Sequence, residues 1–125
     1  METCVSIYCN YFRGTHNYAY NLRELGLFYR EYERLMAHWR SLFGEDIYEV
    51  QYEELTRQQE TQSRALIDYI GLDWDDRCLA FYDNKRPVQT ASNLQVTQPM
   101  YTTSIDKWKR YEKYLRPLQD ALHGT

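Results

Sequence analysis

Hydroxyl, amide and cationic side chains gather in the C-terminal third of the sequence. Ser92, Gln95 and Val96 lie in a polar stretch that ends near Pro99, and Lys107 opens a short basic segment. A hydroxyl, backbone N–H groups and an ammonium group can all donate to the oxygens of one anion. The pattern therefore predicts a site for a small polyanion.

The charge distribution supports this prediction better than the net charge of −3 does. From Glu45 to Asp76 there are ten acidic residues against two basic ones, whereas from Lys85 onward seven basic residues stand against three acidic ones. The local excess of bases favours a small polyanion. A duplex-binding surface is not expected, because the whole chain is acidic and contains no recognisable nucleic-acid module.

Length and composition predict one small domain spanning residues 1–125, since 43% of the residues are hydrophobic and 16% aromatic. The sequence has no apolar run long enough to span a membrane and no signal-peptide pattern at its start. Cys4, Cys9 and Cys78 are an odd number of cysteines without metal-ligand spacing. They predict free thiols in a reducing, cytoplasmic compartment, and no metal site.

The elements that must position the tail are mostly helical. Apolar residues recur at steps of three and four from Leu25 to Phe43, which predicts a long amphipathic helix ended by Gly44. Further helices are predicted over 2–12, over 56–70 with Gly71 at the end, near Asp75, after an N-cap at Ser104, and from Pro117.

Only Asp46–Tyr52 reads as a strand, with Tyr48, Val50 and Tyr52 on one face. A lone strand cannot satisfy its own backbone hydrogen bonds. Either this strand docks on a sheet supplied elsewhere, or the chain is the C-terminal part of a larger α/β protein.

Three stretches carry a resemblance to a known family. Glu2–Tyr8 is similar to a segment that normally follows Arg-x-Pro, and Val50–Leu55 falls on a Val-x-Tyr-Glu-x-Leu motif. In the tail, Ser92, Gln95-Val96, Pro99 and Lys107-Trp108 fall in register on a Ser…Gln-Val…Pro…Lys-Trp pattern. From Glu2 to Leu122 the chain resembles the P-loop-like sulfotransferases that use 3′-phosphoadenylyl sulfate (PAPS), in particular the tyrosylprotein type.

The resemblance implies a fold and a reaction. The fold would be the mostly helical C-terminal part of a three-layer α/β sulfotransferase with an incomplete sheet. The reaction would transfer a sulfuryl group from PAPS, as co-substrate, to a hydroxyl acceptor. The acceptor stays open between a protein tyrosine, a sugar hydroxyl and a small alcohol.

The resemblance also implies roles for individual residues. Ser6 would hold the 3′-phosphate of the nucleotide, and Tyr52 would lie near the adenosine. Ser92 and Lys107 would contact the phosphosulfate, with Ser92 the catalytic residue that stabilises the transferring group. Donors and cations placed there would offset the charge that develops in the transition state. Gln95 and Val96, which flank this contact, would complete the cofactor-binding set.

Departures from the family pattern limit what this chain is expected to do alone. Asn10 stands where tyrosylprotein-type enzymes carry an Arg, and the sequence contains neither the Gly-rich phosphate loop nor the usual acid–base residue. The Arg of Arg-x-Pro would precede Met1. We expect weak nucleotide binding and no sulfuryl transfer without an upstream part of the same enzyme. That upstream part, or further copies of the chain in a homo-oligomer, are the macromolecular partners that the sequence allows.

A second hypothesis from the same residues is a non-catalytic helical interaction module derived from a sulfotransferase. Ser92 would then be an ordinary loop hydroxyl, Lys107 a solvated helix residue, and Tyr52 a core aromatic. A freestanding hydrolase finds no support, because neither His16 nor His38 has an Asp or Ser partner at catalytic spacing.

Overall fold

The computed structural model describes residues 1–12, 14–84, 96–103 and 105–124, and these are mostly helical, as predicted. The α-helices in chain order are α1 (Glu2–Tyr8), α2 (Leu22–Phe43), α3 (Tyr52–Arg57), α4 (Gln59–Tyr69) and α5 (Arg116–His123). Short 3₁₀ helices cover Asn17–Tyr20, Gly44–Asp46, Asp76–Cys78, Phe81–Asp83 and Lys107–Tyr114. The described residues form no strand and two compact units.

The strand predicted over Asp46–Tyr52 is wrong. The backbone is extended at Ile47 and Gln51, but the segment between them has no ladder, and Tyr52 is already the first residue of α3. The Gln51 carbonyl accepts the N–H groups of Glu54 and Leu55 at 3.1 and 2.9 Å. Because acidic side chains suit the first turn of a helix, the two glutamates after Tyr52 favour a helix start there.

The long amphipathic helix is confirmed as α2, which begins three residues before the predicted start. Asn21 fixes that start, since its side-chain oxygen accepts the N–H groups of Arg23 and Glu24 at 3.0 and 3.1 Å. Gly44 is the C-cap, as predicted. It keeps right-handed dihedral angles and leads directly into the 3₁₀ turn Gly44–Asp46.

The first unit comprises residues 1–47 and 106–124, and its core lies where α1, α2 and α5 meet. Cys4, Val5, Leu25, Leu115 and Leu118 are buried there. Helix α5 comes so close to α2 that a Cβ added to Gly26 would lie 2.7 Å from the Cβ of Ala121. Glycine at position 26 is therefore what permits this helix crossing.

The second unit comprises the described residues from 48 to 105. In place of the single helix predicted over 56–70, the structure has two helices, α3 and α4. The break lies at Gln58, whose backbone leaves the helical region between α3 and α4. Gly71 ends α4 as predicted, with a left-handed φ of 72°. After α4, the Arg64 guanidinium lies 4.2 Å from the centre of the Trp74 ring, which ties the following segment to the helix.

Of the two C-terminal helices, the first is a 3₁₀ helix and the second is an α-helix. The predicted N-cap Ser104 lies outside the described residues, and the segment after it is a 3₁₀ helix, Lys107–Tyr114, preceded by Asp106 with a left-handed φ of 63°. Pro117 lies in the first turn of α5, as predicted, because its fixed φ suits a helix start.

Candidate anion site on the first unit

Ser6 is an exposed residue on α1. The preceding residues Cys4 and Val5 turn into the core, so the helical period directs the next side chain outward. Asn10, which departs from the family pattern, has a structural partner here, since its side-chain amide donates to the Ser6 carbonyl at 2.7 Å. The position therefore contributes a C-terminal cap to α1 where the resemblance would have placed a cation.

Lys107 is exposed at the first residue of the 3₁₀ helix Lys107–Tyr114. The next residue, Trp108, packs against the core and anchors this helix to the first unit. Two residues on, the Lys109 ammonium lies 2.9 Å from the Asp106 carboxylate. The ammonium of Lys107 thus stands at the surface of a helix that the core holds in place.

One hydrogen bond joins the elements that carry Ser6 and Lys107. The backbone N–H of Asp106 donates to the Glu2 carboxylate, which links the start of the 3₁₀ helix to the start of α1. Glu2 and Ser6 are four residues apart and so share a helix face. The structure therefore links the elements that carry Ser6 and Lys107, at Glu2 and Asp106. Glu2 was missed by the sequence interpretation, and only its spacing from Ser6 could have indicated it.

Two predicted site residues lie in the second unit. Tyr52 is 52% exposed at the start of α3, so it is not the strand-end residue that the sequence predicted. Val96 is half-buried in a turn. Ser92 and Gln95 lie outside the described residues, so the prediction that Ser92 stands beside Lys107 remains a prediction.

The basic tail is only partly balanced by acids within the first unit. Lys109 pairs with Asp106, and the Arg116 guanidinium lies 3.9 Å from the Asp120 carboxylate. Both pairs are solvent-exposed and contribute little to stability. The charge excess near Lys107 therefore persists in the folded unit and suits an anionic ligand.

Among the described residues, no group of three or more His, Cys, Asp or Glu side chains is placed to hold a metal ion.

His16 lies in a loop that Tyr20 closes. The Tyr20 hydroxyl accepts the N–H of Phe12 at 3.0 Å and donates to its carbonyl at 2.9 Å. The His16 ring lies 6.0 Å from each of the rings of Phe12 and Tyr18, in edge-to-face geometry. Packing against aromatic rings accounts for this histidine without a catalytic role.

A shallow groove of about 630 Å³ lies beside the N-terminal half of α2. Tyr18 stacks on Phe28 within it, with ring centres 3.9 Å apart and planes 9° from parallel. Leu27 adds another apolar side chain to the wall of the groove, and charged residues also line it: Glu24, Arg30, Glu31 and Arg34.

No helix formed by the described residues is long and apolar enough to cross a membrane.

Comparison with known proteins identifies the family of this chain. Residues 1–76 match the profile described as "Sulfotransferase family". An "Uncharacterized protein" of Aquifex aeolicus (strain VF5) is 41% identical over 125 residues, which cover 98% of this chain and 16% of the relative. The chain thus spans about a sixth of that relative's length. No solved structure matches this chain. The chain belongs to the sulfotransferase family.

Proposed function

We propose that this chain is the C-terminal, cofactor-binding portion of a PAPS-dependent sulfotransferase of the tyrosylprotein type. It would form the helical part of a P-loop-like three-layer α/β domain whose sheet is supplied by preceding polypeptide. The observation that carries the proposal is the family membership, together with a surface on which a hydroxyl and an ammonium group stand on linked elements.

In the proposed reaction the acceptor hydroxyl oxygen forms a bond to sulfur while the bond from sulfur to the bridging phosphate oxygen breaks. The products are a sulfate ester and 3′-phosphoadenosine 5′-phosphate (PAP), and the hydroxyl proton passes to a base that preceding polypeptide would supply. Lys107 would offset the charge that grows on the leaving phosphate, and Ser92 would donate to the transferring group. Ser6 would donate to the 3′-phosphate.

The hydrogen bond that links the elements carrying Ser6 and Lys107 supports the proposal that the two residues contact one nucleotide. The carboxylate of Glu2 would disfavour an anion at this surface if it were bare. It accepts the Asp106 N–H instead, which offsets part of its charge. Its proposed role is therefore to tether the Lys107 helix to α1.

The proposed location is the cytoplasm, because the thiols of Cys4, Cys9 and Cys78 are all free in the structure and free thiols suit a reducing compartment. The proposed partners are the nucleotide and a hydroxyl-bearing acceptor, and no nucleic acid.

Nuclear magnetic resonance titration with PAP tests the proposal on the chain itself. We expect weak binding, with amide shifts concentrated at Ser6 and Lys107, and smaller shifts at Ser6 with adenosine 5′-phosphate, which lacks the 3′-phosphate. A charge-assisted hydrogen bond contributes roughly 1.5–3 kcal/mol. Lys107→Gln should therefore weaken binding by about 10-fold or more.

The matched control is Lys113→Gln, which removes the same charge further along the 3₁₀ helix, where the Lys113 ammonium lies over the Tyr114 ring. It should leave the affinity for PAP within about 2-fold, apart from long-range screening effects. Equal losses from the two variants would reduce the site to general electrostatic attraction and contradict the assigned role of Lys107.

Transfer activity is tested with radiolabelled PAPS and a mixture of phenolic, sugar and alkyl hydroxyl acceptors. We expect no transfer by the chain alone, and transfer after it replaces the matched part of the Aquifex aeolicus relative. Full activity of the 125-residue chain would show that the catalytic groups have been misplaced. Nucleotide binding without transfer by the chimera would favour the second hypothesis, a non-catalytic interaction module, which the exposed face of α2 supports.

A further inference from the structure

The 3₁₀ helix Lys107–Tyr114 is longer than helices of this type usually are. It spans eight residues, whereas 3₁₀ runs beyond about three or four residues are uncommon. At its end, the backbone N–H of Leu115 donates to the Glu112 carbonyl at 3.0 Å, which is a three-residue step. Side chains three residues apart therefore lie directly above one another, and the helix has three distinct sides.

The residue types of this helix differ from one side to the next. One side carries only cations, and we call these three residues the cation row: Lys107, Arg110 and Lys113. The other two sides carry aromatic rings (Trp108, Tyr111 and Tyr114) and an alternation of acid, base and acid (Asp106, Lys109 and Glu112). In an α-helix the same three cations would spread over about 120° of the circumference. The row therefore depends on the 3₁₀ geometry.

The positive charge of the cation row is not neutralised within the described part of the chain. Lys109, on another side of the helix, pairs with Asp106 at 2.9 Å. Arg110 forms no salt bridge with any described residue. The Lys113 ammonium lies 4.7 Å from the centre of the Tyr114 ring, so cations and aromatic rings meet there. All three cations of the row are exposed, and they suit a ligand with more than one anionic group.

The core holds this helix near both of its ends. Trp108 packs against the buried core of the first unit, and Leu115, which follows the last residue of the helix, is 4% exposed. Between these two anchors, Tyr111 and Tyr114 are 51% and 64% exposed. The cation row and two tyrosine rings therefore form a surface that the fold holds in place before any ligand binds.

The cation row is continuous with the proposed nucleotide site. Lys107 is its first member and is also the residue proposed to contact the leaving phosphate, so this end of the row has to stay open in the whole enzyme. Covering an apolar face with further polypeptide is favourable, whereas covering cations that lack acidic partners costs free energy. The surface beside Lys107 is therefore suited to a charged ligand.

The direction of the helix distinguishes the acceptor from the nucleotide. In sulfuryl transfer, as in phosphoryl transfer, the entering and leaving oxygens lie roughly in line on opposite sides of the transferred group. The start of the 3₁₀ helix is linked through Asp106 to α1, which carries the proposed 3′-phosphate contact Ser6. Arg110 and Lys113 follow Lys107 at about 6 and 12 Å along the helix axis. The row thus leads away from the end that is linked to α1.

We infer that Arg110 and Lys113 bind anionic groups of the acceptor, and that the acceptor is an acidic glycan, a chain of sugars that carries carboxylates or sulfates. The inference rests on the proposed function, because it takes Lys107 as a contact to the cofactor. A glycan supplies the hydroxyl group that the reaction sulfates, and its anionic groups recur along the chain as the cations do along the row.

The exposed tyrosines favour a glycan over other polyanions. Sugar rings present flat C–H faces that pack on aromatic rings, and the hydroxyl groups of Tyr111 and Tyr114 can exchange hydrogen bonds with sugar hydroxyls. An acidic peptide supplies charges without a repeated flat ring. A single-stranded nucleic acid, which is charged at every nucleotide, is disfavoured by the net charge of −3 on the whole chain.

Titration calorimetry of the 125-residue chain in 0.15 M salt tests the inference, with a chondroitin sulfate hexasaccharide as the probe. We expect this probe to bind and the neutral N-acetylglucosamine hexasaccharide not to bind. Arg110→Gln and Lys113→Gln should each weaken binding about 5-fold. The matched control Lys109→Gln removes the same charge from another side of the helix and should change the affinity less than about 2-fold. Equal losses from all three variants would indicate general electrostatic attraction and overturn the inference.

Variants of the tyrosines separate a glycan from other polyanions. Tyr111→Ala should weaken binding of the hexasaccharide about 5-fold and change binding of hexaglutamate less than about 2-fold. If Tyr111→Ala fails to fold, Tyr114→Ala replaces it with the same expected losses. Tighter binding of hexaglutamate than of the hexasaccharide would overturn the assignment in favour of an acidic peptide. Tighter binding of hexauridylate would overturn it in favour of a nucleic acid.

Titration of the same variants with PAP separates this inference from the proposed function. Arg110→Gln and Lys113→Gln should leave the affinity for PAP within about 2-fold, whereas Lys107→Gln should weaken it about 10-fold or more. A loss of about 10-fold in Arg110→Gln would assign the row to the nucleotide and overturn the inference. If the chain does not bind PAP, the proposed function fails. If it binds PAP but not the sulfated hexasaccharide, only the acceptor assignment fails.

Discussion

Replacing Gly26 by Ala probes the contact that holds the first unit together. The new Cβ would lie 2.7 Å from Ala121 Cβ and 3.1 Å from the Leu118 carbonyl oxygen. Carbon atoms pack best at about 3.5–4.0 Å, so α5 must move by roughly 1 Å. Overpacking of this kind costs about 1–3 kcal/mol, and the higher helix propensity of Ala returns about 1 kcal/mol.

The expected net loss in the free energy of unfolding of Gly26→Ala is therefore about 1 kcal/mol, which lowers the Tm of a small domain by about 4–8 °C. Gly44→Ala is the matched control, because nothing lies within 4 Å of its added Cβ and its φ is −54°. That variant should be stabilised by about 0.4–1 kcal/mol. Urea unfolding followed by circular dichroism separates the two.

The double variant Gly26→Ala/Ala121→Gly removes the shortest contact and tests the assigned cause. A double-mutant cycle should give a favourable coupling of about 1 kcal/mol between the two positions. Zero coupling, or a Gly26→Ala variant as stable as Gly44→Ala, would refute the reasoning that α2 and α5 meet at Gly26.

Two further predictions concern titratable groups. Hydrogen bonds that Nε and the backbone N of Arg77 donate to Asp75, at 2.8–3.0 Å, lower the pKa of Asp75 to about 2. The small stabilisation by this exposed pair is present above the unfolded pKa of 3.8 and is lost as pH falls from there through 2. Carboxyl carbon resonances should show this pKa, and Arg77→Gln should raise it. Burial raises the pKa of the Cys4 thiol, so iodoacetamide should modify exposed Cys9 first. Peptide mass spectrometry would contradict this if both react at equal rates.

The helices were predictable where a long-range pattern or a special residue defines them. The stripe from Leu25 to Phe43 is long enough to exclude other periods, and Gly71 adopts the left-handed φ that a helix end requires. The pattern could not predict which residues of two helices contact each other. That Gly26 faces Ala121 depends on the crossing of two helices far apart in sequence, and no local signal encodes it.

The strand over 46–52 shows why short apolar alternation misleads. Tyr48, Val50 and Tyr52 alternate as a strand should, yet a strand also needs a neighbour, and the described residues offer none. Within this chain, local preferences then decide the conformation of Tyr52, and the two glutamates after it favour a helix start. The extended backbone at Ile47 and at Gln51 is still compatible with a sheet supplied by preceding polypeptide, which is the arrangement we propose.

For the candidate site too, the features set by nearby residues could be predicted from the sequence, whereas the contact between distant residues could not. The exposure of Ser6 follows from the period of α1, and the surface position of Lys107 follows from the apolar anchor Trp108 beside it. The link between their two elements does not follow from either, because it is a hydrogen bond from the Asp106 N–H to the Glu2 carboxylate, and these residues lie 104 positions apart. The family pattern indicated the two residues, and the fold shows that the elements carrying them are linked. A site assembled in this way depends on the tether, so a change at Glu2 should affect nucleotide binding without altering either residue that would contact the nucleotide.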